Sequence, residues 1–177
     1  MIESDRLILR RWHERDAGPF LAMGNDPRVM EYLGPPMSRA DVDAAIARQN
    51  GFLDTHGHCF WALERRDDGA FLGFCGIKPG AADTPVEGKA EIGWRLGAEH
   101  WGKGYAREAA EACLDHGWTA LGFDRVWAIT TIGNSRSWGL MERLGMTRHP
   151  ELDFRHPLPG LEERLRPHIT YSIGKTL

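Results

Sequence analysis

The sequence predicts a mixed α/β fold, and three observations carry that expectation. Two apolar runs, Phe60-Trp61-Ala62-Leu63 and Phe71-Leu72-Gly73-Phe74-Cys75-Gly76-Ile77, flank Asp67-Asp68-Gly69, and an Asp-Gly between such runs signals an antiparallel hairpin. Farther on, strand, helix, strand and helix patterns follow one another, an order that invites parallel pairing. The 177 residues, 42% of them hydrophobic, match the usual domain size of about 100–200 residues, so residues 1–177 are expected to share one core.

Taken in order, Arg6-Leu7-Ile8-Leu9-Arg10 is an apolar run that opens the chain as a strand, and Asp16 is placed to cap a helix through Phe20, Leu21 and Met23. Pro35-Pro36 breaks any continuation. Ser38 then begins a second helical stretch, on which Val42, Ala45, Ile46, Phe52 and Leu53 recur at helical spacing. After the hairpin, a loop rich in Gly, Ala, Asp and Pro leads to Ala90-Glu91-Ile92-Gly93-Trp94-Arg95-Leu96, an alternating strand that ends beside Gly97. Ala106, Ala109, Ala110, Cys113, Leu114, Trp118 and Leu121 mark an amphipathic helix, with Glu108 and Glu111 near its start and Gly122 at its end. Arg125-Val126-Trp127-Ala128-Ile129-Thr130-Thr131 is a β-branched run, followed by a helix over 135–144 stopped by Gly145. Residues 150–167 read as a loop with at most one helical turn, and His168-Ile169-Thr170-Tyr171-Ser172-Ile173 alternates as a final strand. No internal repeat and no second domain are visible.

Composition excludes several classes of function. With 22 Lys+Arg against 25 Asp+Glu and a net charge of -3, the chain lacks the overall basic field of a nucleic-acid binder. Cys59, Cys75 and Cys113 are odd in number and widely spaced, so neither a disulfide framework nor a cysteine zinc site is supported, and a reducing cytoplasm fits best. No run reaches signal-peptide length or the roughly 18 apolar residues that span a membrane. His56-Gly57-His58-Cys59 offers imidazole and thiol ligands, but no second ligand pair accompanies it, so a loop is expected there and no metal. Arg6, Arg10, Arg11 and Arg15 read as a solvated face.

The segment that invites chemistry is Trp101-Gly102-Lys103-Gly104-Tyr105-Ala106-Arg107, where a strand has ended and the long helix begins. Glycines allow close backbone approach, and the unpaired N–H groups of the first helical turn point at any negative group placed there. A phosphate cradle and an ordinary glycine-rich turn both fit this pattern. A dinucleotide fingerprint would need a small residue at Arg107 and an acidic one closing the next strand, which ends instead in Thr130-Thr131. Gly174-Lys175-Thr176 lacks both the upstream glycine and the downstream helix of a P-loop.

Together, the opening Ser4-Asp5-Arg6-Leu7-Ile8-Leu9-Arg10, the hairpin with Leu72-Gly73, Ala90-Glu91-Ile92-Gly93-Trp94, Trp101-Gly102-Lys103-Gly104-Tyr105-Ala106, and Asn134 to Ser137 followed by Leu144-Gly145-Met146 resemble the GNAT superfamily of N-acetyltransferases. The resemblance spans almost the whole chain and is strongest to the branch of ribosomal-protein N-terminal acetyltransferases. It implies a twisted, mostly antiparallel sheet whose parallel fourth and fifth strands splay apart, flanked by about four helices.

The resemblance also implies acetyl-CoA as co-substrate, its pyrophosphate held by the backbone from Trp101 through Gly102, Lys103, Gly104, Tyr105 and Ala106 to Arg107. Trp101 stands where the family usually has Gln or Arg. Trp94 and Leu96 match the positions whose main chain runs beside acetyl-pantetheine, with the backbone N–H near Trp94 as oxyanion donor. Asn134 would lie against the pantetheine, although helix capping explains it equally. The Tyr that protonates the thiolate in many relatives is replaced by Met141, which leaves Ser137 as the substitute. Glu91 matches the position of the catalytic base in some relatives, and a structural hydrogen bond is its alternative role. The expected reaction is direct transfer of acetyl to a primary amine, on a protein N-terminus or a small molecule, in a ternary complex without covalent intermediate. No nucleic-acid or membrane partner is expected, a homodimer is allowed, and a catalytically idle acyl-CoA-binding module on the same fold is the rival reading.

Overall fold

The computed structural model describes residues 1–175. Its strands are β1 (Ile2–Glu3), β2 (Leu7–Arg10), β3 (Phe60–Arg65), β4 (Phe71–Pro79), β5 (Ala90–Leu96), β6 (Arg125–Thr131), β7 (Thr147–Arg148), β8 (Phe154–Arg155) and β9 (Pro167–Gly174). The α-helices are α1 (Ala17–Met23), α2 (Pro27–Met30), α3 (Arg39–His56), α4 (Tyr105–Thr119) and α5 (Ser135–Arg143). One sheet runs in the order β1-β2-β3-β4-β5-β6-β9-β7, with β8 paired to β9. All of its pairings are antiparallel except β5 with β6. These are the expected fourth and fifth strands, displaced by one because Ile2–Glu3 adds a short strand at the edge.

β5 and β6 meet at one register position only, Glu91 opposite Trp127. On its other side β5 pairs with β4 continuously from Pro79↔Ala90 to Gly73↔Leu96, and β6 pairs with β9 from Arg125↔Gly174 to Thr131↔His168. Each strand is therefore held on its outer side and released on the inner one, so the pair opens from Glu91 toward Leu96. Side chains alternate across the sheet as a pleated strand requires. Trp61 and Leu63 join a core with Ile77, Ile92, Val126 and the α4 residues Ala109, Ala110 and Cys113. Ala62 between them joins a second core with Trp12, Phe20, Val29 and Val42.

Local signals place most of the helices. Ser38 caps α3 through its hydroxyl and shares a capping box with Asp41, and Gly57 ends that helix at φ +77. α2, which the sequence pattern did not announce, adds a helix to the four expected. Its Pro27 occupies the first turn, and Asp26 caps it through the Arg28 N–H at 2.9 Å. Residues 150–167 hold two short 3-10 turns and β8 rather than a plain loop. No described helix is long and apolar enough to cross a membrane. Thr176, the last residue of Gly174-Lys175-Thr176, lies outside the described residues.

Asp16 precedes α1 but does not cap it. Its carboxylate instead turns back to take both Arg10 guanidinium nitrogens at 2.8 and 2.9 Å and the His13 N–H at 2.8 Å. Arg10 Nε donates to Glu64 at 2.7 Å, so Arg10 is a buried, paired cation and not part of a solvated face. Burial pushes the Asp16 carboxyl up, but the Arg10 guanidinium and the His13 N–H outweigh it and hold the group below its ordinary 3.8. A lowered folded value gives stability that is complete above the ordinary value and lost as pH falls through the folded one. Asp16→Asn is expected to cost about 3 kcal/mol at neutral pH, the low end for breaking a buried pair because Glu64 still holds Arg10. Urea unfolding at pH 7 and below pH 3.8 checks this, since the gap between wild type and variant should shrink in acid.

Candidate active site

At the open end of β5, the chain passes through a 3-10 turn (Ala98–His100) into the Trp101 to Gly104 turn. Gly102 at φ +74 and Gly104 at φ +82 lie in the left-handed region that favours glycine. No backbone N–H from Gly102 through Arg107 meets an acceptor among the described residues, and the first N–H to do so is Glu108, on the Gly104 carbonyl at 3.1 Å. A run of free amides at the start of a 15-residue helix has the geometry to hold an anion. The Trp101 indole N–H donates to the Leu96 carbonyl at 2.9 Å, which pegs the turn to the end of β5.

The N-terminal segment braces this turn from outside. Glu108 accepts from the Ser4 hydroxyl at 2.7 Å and the Arg6 N–H at 2.9 Å, and its second oxygen takes Arg6 Nε at 2.7 Å. Arg6 also donates to the Lys103 carbonyl at 3.1 Å and lies over the Tyr105 ring at 4.7 Å. Burial pushes Glu108 up, but the Ser4 and Arg6 donors prevail and hold its carboxyl low. The carboxylate in the first helical turn is thus matched by Arg6 and does not repel an anion at the cradle.

A cleft of about 730 Å³ runs from this turn between the parted strands. Glu91, Trp94, Leu96, Trp101, Gly102, Gly104, Tyr105, Ala106, Arg107, Asn134 and Ser137 all line it, whereas Lys103 does not. The lining holds Arg28, Arg95, Arg107, Arg136 and Arg143 against a single acid, Glu91. Arg136 lies over the Trp101 ring at 4.7 Å, so Trp101 both pegs the turn and carries a cation at the mouth. Asn134 caps α5 by accepting the Ser137 N–H at 3.3 Å, which is the capping role, and it also faces the cleft. Met141 is buried one turn past Ser137.

Glu91 is 8% exposed and accepts from Lys78 Nζ at 2.7 Å through one oxygen. Its other oxygen has no hydrogen bond among the described residues. His168, at the start of β9, lines the same cleft, and its Nδ1 lies 3.0 Å from the Arg166 carbonyl. A carbonyl can only accept, so Nδ1 carries the proton and Nε2 keeps a lone pair. Burial lowers the His168 pKa, the Arg166 carbonyl opposes this, and His156 adds to the lowering. The ring is therefore neutral at pH 7.

Sequence reading missed His168, Tyr32, Arg95 and Arg136. Tyr32 reaches the cleft beside Gly133, where a Cβ would stand 3.0 Å from its ring. The one signal available beforehand was Arg95 itself, a second charged residue with Glu91 in an otherwise apolar strand. The three cysteines are buried and lie outside the cleft lining. Burial pushes the Cys59 thiol up to about 12, and burial beside Cys75 at 3.9 Å raises Cys113. A group of three or more metal-ligating side chains able to hold an ion is absent among the described residues.

Comparison with known proteins agrees with this geometry. The sequence profile of the acetyltransferase (GNAT) domain matches residues 6–147. The uncharacterized protein YkkB of Bacillus subtilis (strain 168) is 35% identical over 144 residues, 81% of this chain and 83% of that protein. The uncharacterized N-acetyltransferase YoaA of the same organism is 29% identical over 151 residues, 84% of this chain and 83% of that one. In fold, the chain superposes on Mycobacterium smegmatis RimJ, solved in complex with CoA-disulfide, with TM-score 0.74 at 20% identity, covering 95% of this chain and 81% of that one.

Because all three thiols are buried, none of Cys59, Cys75 and Cys113 is expected to react with Ellman's reagent in the native protein at pH 8. All three should react at once in urea. Rapid labelling of one thiol in the native state would contradict their burial.

Proposed function

Because this chain belongs to the GNAT acetyltransferase family, we propose that it moves the acetyl group of acetyl-CoA onto a primary amine by direct attack in a ternary complex. The observation that carries this reading is the run of unpaired amides from Gly102 to Arg107, opening onto a cleft made by two parted strands. On this reading the amides take the pyrophosphate, and Arg107, Arg136 and Arg143 are the cations near the remaining phosphate charge. The exposed edge of β5 at Trp94 and Leu96 pairs with the amides of pantetheine as an added strand would, and Asn134 offers its side-chain nitrogen from the other wall.

Attack requires a neutral amine, a proton acceptor, and donors for the oxyanion. The Trp94 N–H is the proposed oxyanion donor. Glu91 takes the amine proton on its free oxygen while Lys78 holds the other, and the neutral imidazole of His168 is a second acceptor in the same cleft. As the C–N bond forms and the C–S bond breaks, the thiolate receives a proton from the Ser137 hydroxyl, from Tyr32 or from water. The buried thiols support a mechanism without an acyl-cysteine. The proposal treats residues 1–177 as one acetyltransferase domain, alone or as a homodimer, in the cytoplasm, and gives it no nucleic-acid or membrane partner. Met141 in place of Tyr is the observation that favours an idle acyl-CoA-binding module instead. Acetyl-CoA consumption across a library of amines, including peptides with free N-termini, separates the two.

Acetyl-CoA should raise the melting temperature, while NAD and ATP should not, because a ligand bound only by the native state stabilises it by mass action. An equal shift with NAD would remove the coenzyme A reading. Glu91→Gln is expected to lower kcat by roughly 10²–10⁴-fold with acetyl-CoA affinity little changed, the usual loss for a general base. Ser137→Ala should cost only about tenfold, because a thiolate leaves readily. If Ser137→Ala turns over normally and Tyr32→Phe does not, the phenol is the donor.

A further inference from the structure

Arg95, half-buried in the cleft wall with its Nε fully enclosed, stands apart from the other enclosed cations among the described residues. Strand alternation puts it on the same face of β5 as Glu91 and Gly93, opposite Ile92 and Leu96, which enter the core beneath α4. Its guanidinium lies 3.8 Å from the Met30 sulfur, 3.7 Å from the Met37 sulfur and 5.4 Å over the Phe74 ring. Thioethers are weak acceptors. Its Nε is buried without a hydrogen-bond partner, and no carboxylate forms an ion pair with it among the described residues. Arg10, by contrast, holds Asp16 and Glu64, and Arg28 in the same cleft is tied to Asp26 at 2.6 Å. Burial alone pulls the Arg95 pKa from 12.5 to about 10, which leaves the group charged at neutral pH.

A buried charge without a partner is costly, and an apolar side chain of similar volume would serve the fold better. Residues that break a local rule in this way concentrate at functional sites. The planar fork of a guanidinium matches a carboxylate or phosphate bidentately. Between Arg95 and Glu91 the wall is apolar: Phe60 stacks on Phe74 at 5.4 Å, and the place of a Gly93 Cβ lies 2.7 Å from the Phe60 ring. Four residues of strand put the Cα atoms of Glu91 and Arg95 roughly 13 Å apart.

Resting on the acetyl-transfer reading above, we propose that Arg95 is the specificity residue for the acetyl acceptor. It binds an oxyanion, a carboxylate or a phosphate, at the end of the acceptor remote from the amine, with the spacer lying against Phe60 and Phe74 and the amine near Glu91. The acceptor is then an anionic amine. Polyamines are disfavoured, because a second ammonium would meet an unpaired guanidinium.

The test is calorimetric binding to the full chain, with and without saturating CoA, of three six-carbon probes: aminohexanoate, aminohexyl phosphate and diaminohexane. At least one anionic probe should bind about tenfold or more tightly than the diamine, as expected of a charge-assisted bidentate contact, and the tighter of the two identifies the oxyanion. Arg95→Met should abolish that preference, leave CoA affinity within about twofold, and raise the melting temperature of the free protein. Arg95→Lys should keep part of the preference, which covers the event that the Met variant folds poorly. Equal binding of the diamine, or an undiminished preference in Arg95→Met, overturns the proposal. A loss of CoA affinity in Arg95→Met also overturns it and makes Arg95 a cofactor contact. Failure of the wild type to bind CoA would remove the acetyl-transfer reading, while the ranking of the probes without CoA would still judge Arg95.

Discussion

The parting of β5 from β6 is the constraint on which the rest of the molecule depends. A sheet interior normally satisfies every backbone N–H and C=O, and an unmade hydrogen bond there costs about 1–3 kcal/mol when water is excluded. Here the two strands are fixed on their outer sides by long antiparallel ladders and pair with each other only at Glu91 and Trp127. The free edges beyond that point must be met by water or by a ligand with amides of its own. Because the opening points toward Leu96, the chain must turn sharply there into α4. The left-handed glycines at 102 and 104 make that turn, and they turn the first amides of the helix outward. Strand edge and anion cradle are thus two consequences of one departure from regular pairing.

Keeping that opening in shape requires bracing from distant parts of the chain. Trp101 ties the turn to Leu96, Arg6 and Ser4 tie α4 to the strand edge through Glu108, and Arg136 of α5 leans on Trp101 from the opposite wall. Trp101 therefore pegs the turn through its indole N–H and leaves the backbone amides of the turn free. The bracing pairs are largely exposed, and exposed ion pairs contribute little stability each. Their effect is geometric, since three of the contacts converge on the single Glu108 carboxylate.

Elements held by neighbours in sequence were legible before the structure. The Asp-Gly hairpin, the Ser38 cap, the alternating strand at 90–96 and the glycine-punctuated start of α4 all rest on contacts within a few residues. The same holds for most of the candidate site, because Gly102, Gly104, Asn134 and Ser137 owe their places to local turns and caps. What escaped was decided by long-range partners. Asp16 has the chemistry of a cap, yet the Arg10 guanidinium outcompetes the helix for its carboxylate. Arg6 and Arg10 looked like a solvated face because nothing near them in sequence reveals Glu108 or Glu64. Arg95 and His168 face the cleft through tertiary packing, and an Arg in a mostly apolar strand does not say whether a carboxylate waits across the sheet.

The charge of the cleft links recognition to chemistry. The chain as a whole is mildly acidic, but the cleft lining is cationic, and net charge is silent on such local fields. Positive neighbours lower the pKa of an ammonium, since like charge disfavours the protonated form. Lys78 and Glu91 offset one another at 2.7 Å, so the uncompensated positive charge along this wall is that of Arg95. The same field would exclude a substrate that is cationic at both ends. On the proposed reading, an acceptor with a distant oxyanion would escape that penalty, its negative end neutralising Arg95 while its amine lies near Glu91. On this view the unpaired guanidinium would select the substrate by what the fold leaves unsatisfied, and the acid at the other end of the wall, Glu91, would meet the amine.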